Sequence, residues 1–133
     1  MPNLVLDASF LVRALTDGNS EACARLKTIF NKKNKVFSSP ILPLEVANAL
    51  RFSLTDSNVA KAIFAEFLEL PIKVINLNDQ QKKKIIDISY KTKTTVYDTS
   101  YHVLAKSQGA TFLTCDVDYY KKAETLGDIE LLR

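Results

Sequence analysis

The chain has 133 residues, with 18 Lys+Arg against 15 Asp+Glu, one His, two Cys and three Gly, and it is 47% hydrophobic and 25% charged. That size and balance predict one globular domain spanning residues 1–133. The small counts exclude most cofactor chemistry: Gly18, Gly109 and Gly127 cannot supply a dinucleotide fingerprint or a P-loop, and His102, Cys23 and Cys115 are too few and too scattered for a tetrahedral zinc site.

Residues 3–9, NLVLDAS, are an apolar run that stops at Asp7 and predict a buried central strand. A helical stretch follows, with Phe10, Leu11 and Leu15 before a break at 16–18. A second helix is expected over about 19–33, carrying Ala22, Leu26, Ile29 and Phe30 at helical spacing. VFSSP (36–40) predicts a second strand, and residues 42–70 a helical pair, with Pro43 suited to a first turn and Thr55-Asp56-Ser57 breaking and recapping it. KVINL (73–77) predicts a third strand, and Asn78 with Gln81 a capping pair for a helix with Ile85, Ile86 and Ile88 turned inward. A helix is expected to open near Asp98 and halt at Gly109. ATFLTC (110–115) reads as a fourth strand, residues 117–126 as a last helix, and the segment from Asp128 as a short terminal strand. Strands alternating with helices predict an α/β fold: a three-layer sandwich with a parallel sheet of four to five strands between helices.

Parallel sheets gather functional groups at the carboxyl ends of their strands. Asp7 and Asp116 follow apolar strands directly, Glu45 lies in the first turn after the second strand, and Asp98 stands at the helix before the Asp116 strand. The four are expected to meet at one edge. Their neighbourhoods, DASFLV, PLEVAN, VYDTSY and TCDVDY, hold no Lys or Arg to serve as ion-pair partners. Clustered carboxylates without counter-charges raise one another's pKa or recruit a cation, and an all-oxygen donor set selects Mg²⁺ or Mn²⁺. Such a site suits phosphodiester hydrolysis by an activated water.

The order VLDAS (5–9), SSPILPLEVANAL (38–50) and YDTSYHVLAKSQGATFLTCD (97–116) resembles the PIN domain, most closely the toxin nucleases of the VapC type. The resemblance runs over essentially the whole chain. It implies a metal-dependent ribonuclease acting on structured RNA and paired with a cognate antitoxin. Carried over, Asp7, Glu45, Asp98 and Asp116 hold Mg²⁺ or Mn²⁺, Ser9 and Thr114 support the first and last carboxylates, and Asp118 occupies a less regular acidic position. His102 departs from the aliphatic or small residue usual in the family.

Each of these residues has a plainer reading. Asp7 and Asp98 suit helix caps, Glu45 suits a helix dipole, and one of Asp116 and Asp118 suits a cap. His102, one turn after Asp98, fits a hydrogen-bonded helix histidine better than a metal ligand. Cys23 and Cys115 fit buried thiols in a reducing cytoplasm. No stretch of more than nine residues lacks a charge, so no membrane span is expected. With the four carboxylates set aside, 18 basic side chains face 11 acidic ones, a balance of +7 that suits a polyanion. The apolar surplus of the 42–70 helical pair fits a homodimer surface or an antitoxin groove. Two rival functions remain: an RNA-processing nuclease without antitoxin, and a non-catalytic acidic binding module. A phospho-acceptor receiver is disfavoured, because Ala8 and Ser9 stand where its second acid belongs.

Overall fold

The computed structural model describes residues 2–133. Five strands, β1 (Asn3–Leu6), β2 (Val36–Ser38), β3 (Lys73–Val74), β4 (Ala110–Thr114) and β5 (Ile129–Leu131), form one sheet in the order β3-β2-β1-β4-β5. Every pairing is parallel. Seven helices flank it: α1 (Ala8–Thr16), α2 (Glu21–Asn31), α3 (Leu42–Ser53), α4 (Ser57–Leu68), α5 (Asp79–Thr92), α6 (Val96–Ser107) and α7 (Val117–Ala123). This is the expected three-layer α/β sandwich.

The apolar run that opens the chain becomes the central strand because it has no polar face to give to water. Val5 and Leu6 are wholly buried, as are Leu113 on β4 and Leu104 on α6. Each such side chain contributes about 1.5–3 kcal/mol on leaving water. Helix α1 packs on α2, α3 and α4, whereas α6 packs on α5 and against β1, β2 and β4. The register sets Leu6 beside Leu113, so the chain emerges from β1 and β4 side by side at Asp7 and Thr114. All five strands being parallel, their carboxyl ends share one edge.

Local signals set the helix starts. Ser20, Asp56 and Asn78 cap α2, α4 and α5 with their side chains, and Asn78 and Gln81 form a reciprocal capping box. Helix α6 begins earlier than expected: Thr95 is its cap, accepting from the Asp98 N–H, so Asp98 sits within the first turn. Its carboxylate is therefore not consumed in capping. The third strand pairs over two residues only, an edge ribbon with both side chains exposed. The last helix tightens to a 3-10 turn over Glu124–Leu126, ending at Gly127, whose φ of 76° favours glycine. Of the three isoleucines of α5, Ile85 is buried but Ile86 faces solvent. Neither cysteine is fully buried. No described helix is long and apolar enough to cross a membrane.

Candidate active site

Asp7 is the best-supported carboxylate. It caps α1, its Oδ1 accepting from the Phe10 N–H at 2.9 Å and from Ser9 Oγ at 2.7 Å, while Oδ2 accepts from Thr114 Oγ1 at 2.6 Å. The two hydroxyls also lace α1 to the end of β4: Ser9 Oγ accepts from the Cys115 N–H at 3.0 Å and Thr114 Oγ1 from the Asp116 N–H at 3.1 Å. Both thus hold Asp7. Thr114 reaches Asp116 through the backbone alone, where support of that carboxylate was expected. Asp116 caps α7, its Oδ1 accepting from the Tyr119 N–H at 3.0 Å. The capping reading and the site reading therefore coincide at Asp7 and Asp116, since one carboxylate oxygen serves the helix and lone pairs remain.

Burial pushes the Asp7 carboxyl up to about 6; its three hydrogen bonds oppose this and the Asp116 charge adds to it. Asp98 is raised first by desolvation, then by Asp116. Glu45 is raised by desolvation and, more weakly, by Asp98, against a hydrogen bond from Tyr101 that lowers it. The four expected acids therefore share one electrostatic neighbourhood: Asp116 acts on Asp7 and Asp98, and Asp98 on Glu45. Among the described residues the ion pairs are Arg25–Glu130 and Lys106–Asp128, and neither touches the four. Asp118 is exposed, with no side-chain hydrogen bond among the described residues.

The donors are hard oxygens with no ion-pair partner among the described residues, and this chemistry fits a divalent ion such as Mg²⁺ or Mn²⁺. Among the described residues no three acids, histidines or thiols yet converge closely enough to surround one ion.

Two tyrosines, neither anticipated from the sequence, border the acids. Tyr101, 1% exposed, donates its hydroxyl hydrogen to Glu45; burial above all, then that hydrogen bond and the charges of Glu45, Asp7 and Asp98, hold the phenol protonated. Tyr119 lies under the Asp116 cap and feels Asp98, Asp7 and Asp116. The available signal was chemical: a tyrosine on a core face needs a partner for its hydroxyl. His102 is a structural residue. It is buried, with Nδ1 2.8 Å from the Tyr119 hydroxyl and Nε2 2.7 Å from the Gly127 carbonyl. The carbonyl can only accept, so Nε2 carries the proton and Nδ1 accepts from Tyr119. Burial lowers its pKa, keeping the ring neutral.

A five-stranded parallel α/β sheet with Asp7 and Asp116 just past the carboxyl ends of β1 and β4 defines the class. The PIN domain model matches residues 4–125, and the chain belongs to the PIN domain family. No curated protein sequence matches it. Solved structures share the fold over nearly their whole length. They include PAE2754 from Pyrobaculum aerophilum, at 22% identity and TM-score 0.68 over 94% of this chain and 93% of that one. VapC20 from Mycobacterium tuberculosis, described as a toxin cleaving the sarcin-ricin loop, aligns at 15% identity and TM-score 0.70 over 98% and 100%. VapBC2 from Rickettsia felis, bound to a promoter DNA fragment, aligns at 14% identity and TM-score 0.72 over 98% of each chain.

Proposed function

We propose that this protein is a divalent-metal-dependent endoribonuclease, the toxin of a toxin–antitoxin pair. The observation that carries the reading is the unpaired acidic set: Asp7, Glu45, Asp98 and Asp116 raise or feel one another, and none has an ion-pair partner among the described residues. These four would hold Mg²⁺ or Mn²⁺, which when bound supplies Lewis acidity toward a phosphate and a water. The chain's own groups do the placing. Ser9 and Thr114 orient Asp7, Tyr101 orients Glu45, and the α7 N-terminus orients Asp116. The surrounding +7 balance draws the polyanion in.

The partner reading rests on α3 and α4. Leu50, Leu54 and Phe64 line a cleft of about 520 Å³ between them, and Phe52 is 78% exposed nearby. An apolar face of an antitoxin helix suits this cleft. Exposed Leu68 and Val74 border a second, shallow apolar depression with Pro43, which suits a second copy of the chain. Complexes of VapB with VapC and of FitA with FitB share the fold and support the partner reading. Purified protein is expected to cut RNA with Mn²⁺ or Mg²⁺ and to stop in EDTA. Undiminished cleavage by Asp98→Asn would overturn the roles. Growth arrest on expression alone, relieved by a neighbouring small gene, separates a toxin from a processing nuclease.

A further inference from the structure

At the carboxyl edge of the sheet, and including none of the four acids, lies a cavity of about 380 Å³ bordered by the segments that follow β2 and β3. Ile75, Leu77 and Ile85 contribute apolar walls, and Asn76, Lys82 and Tyr97 contribute its polar and aromatic side. Tyr97 immediately precedes Asp98 on α6, so one helix carries both a wall of the cavity and one of the four acids. Tyr97 is 58% exposed. Asn76 and Lys82 are exposed too, without a side-chain hydrogen bond or ion pair among the described residues.

This combination is selective. Apolar walls beside an exposed phenol ring take a flat heterocycle, with base–aromatic stacking as the main attraction. An unengaged carboxamide offers both donor and acceptor to a base edge, and a free ammonium offers charge to the adjoining phosphate. A greasy side chain would leave Asn76 and Lys82 unanswered. We propose that this cavity is a subsite for one unpaired nucleobase of the RNA strand that is cut at the neighbouring carboxylates. The proposal rests on the ribonuclease reading above and adds to it a reason for preferring single-stranded or loop RNA, whose bases are free to leave the stack.

The test is a double-mutant cycle between protein and ligand. The probe is a short, mixed-sequence single-stranded RNA with a fluorescent label, alongside versions lacking the base at one position each. Binding is read by anisotropy in EDTA, and kcat/KM for cleavage in Mn²⁺. One position is expected to lose about tenfold in affinity when its base is removed. Tyr97→Ala should weaken the intact strand by a similar factor and erase the sensitivity at that position, while Tyr97→Phe, which keeps the ring face, should behave as wild type. Binding and cleavage that persist with no position coupled to Tyr97 would overturn the subsite alone. Absence of both binding and cleavage in wild type would overturn the ribonuclease reading and the subsite with it.

Discussion

The hydroxyl of Tyr101 on α6 donates a hydrogen bond to the Glu45 carboxylate on α3, a residue 56 positions earlier in the chain. Tyr101 is itself buried, its ring stacked 6.0 Å from that of Phe112. A rigid, packed donor thus fixes the one site carboxylate that sits on a long, flexible side chain. Tyr101→Phe removes that donor and keeps the ring. We expect stability to change by about 1 kcal/mol or less. Cleavage should fall several-fold, with weaker Mn²⁺ affinity by calorimetry. Unaltered Mn²⁺ affinity would refute the positioning role.

Asp7 makes the metal-free protein pH-sensitive. Its carboxyl titrates at about 6 in the fold against 3.8 ordinarily, so between those values the folded state holds a proton that the unfolded chain has lost. This group's contribution to stability is therefore greatest in acid and is lost as pH rises to about 6. Denaturant titrations in EDTA should show a loss on the order of 2 kcal/mol between about pH 4 and about pH 7 from this residue. Asp7→Asn, which keeps a capping oxygen, should flatten that slope.

If Asp7 holds the ion, the metal and that proton compete for one carboxylate. Added Mn²⁺ should raise the melting temperature clearly at about pH 8 and little at about pH 5. An equal shift at both values would place the ion elsewhere.

His102 is expected to matter for the fold. His102→Ala opens a hole beside Phe112 and strips partners from the Tyr119 hydroxyl and the Gly127 carbonyl. A loss of about 2–4 kcal/mol is expected in denaturant unfolding. A variant as stable as wild type but inactive would make the histidine a functional group after all.

Asp118 separates two carboxylates that look alike in the string DVD. Exposed and outside the hydrogen-bonded network, it should tolerate Asp118→Asn with cleavage changed by less than about threefold, within what a surface charge does. Asp116→Asn should cost at least about a hundredfold if that residue holds the ion.

Much of this was legible in residue order. The run of Leu4, Val5 and Leu6 reads as a buried strand because it lacks a polar face, and Asn78 with Gln81 announces a helix start because both atoms of the capping box are local. Strand–helix alternation leads to a parallel sheet, and a parallel sheet puts Asp7, Thr114 and Asp116 at a common edge. Hence residue order alone led to the expectation of four acids at one edge. The fate of Phe52 and Ile86 was not legible, because helical spacing marks apolar positions without saying which neighbour, if any, covers them. Nor was the true start of α6, where Thr95 outcompetes Asp98 for the cap. Above all, the partner of a buried hydroxyl lies far along the chain. Tyr101 meets Glu45 across 56 residues, and Tyr119 meets His102 across 17, only once the helices that carry them are packed on the sheet. Local chemistry determined the elements and the choice of acids. Long-range packing alone decided which groups hold those acids in place, because a hydrogen bond acts over about 3 Å of space whatever the separation in sequence.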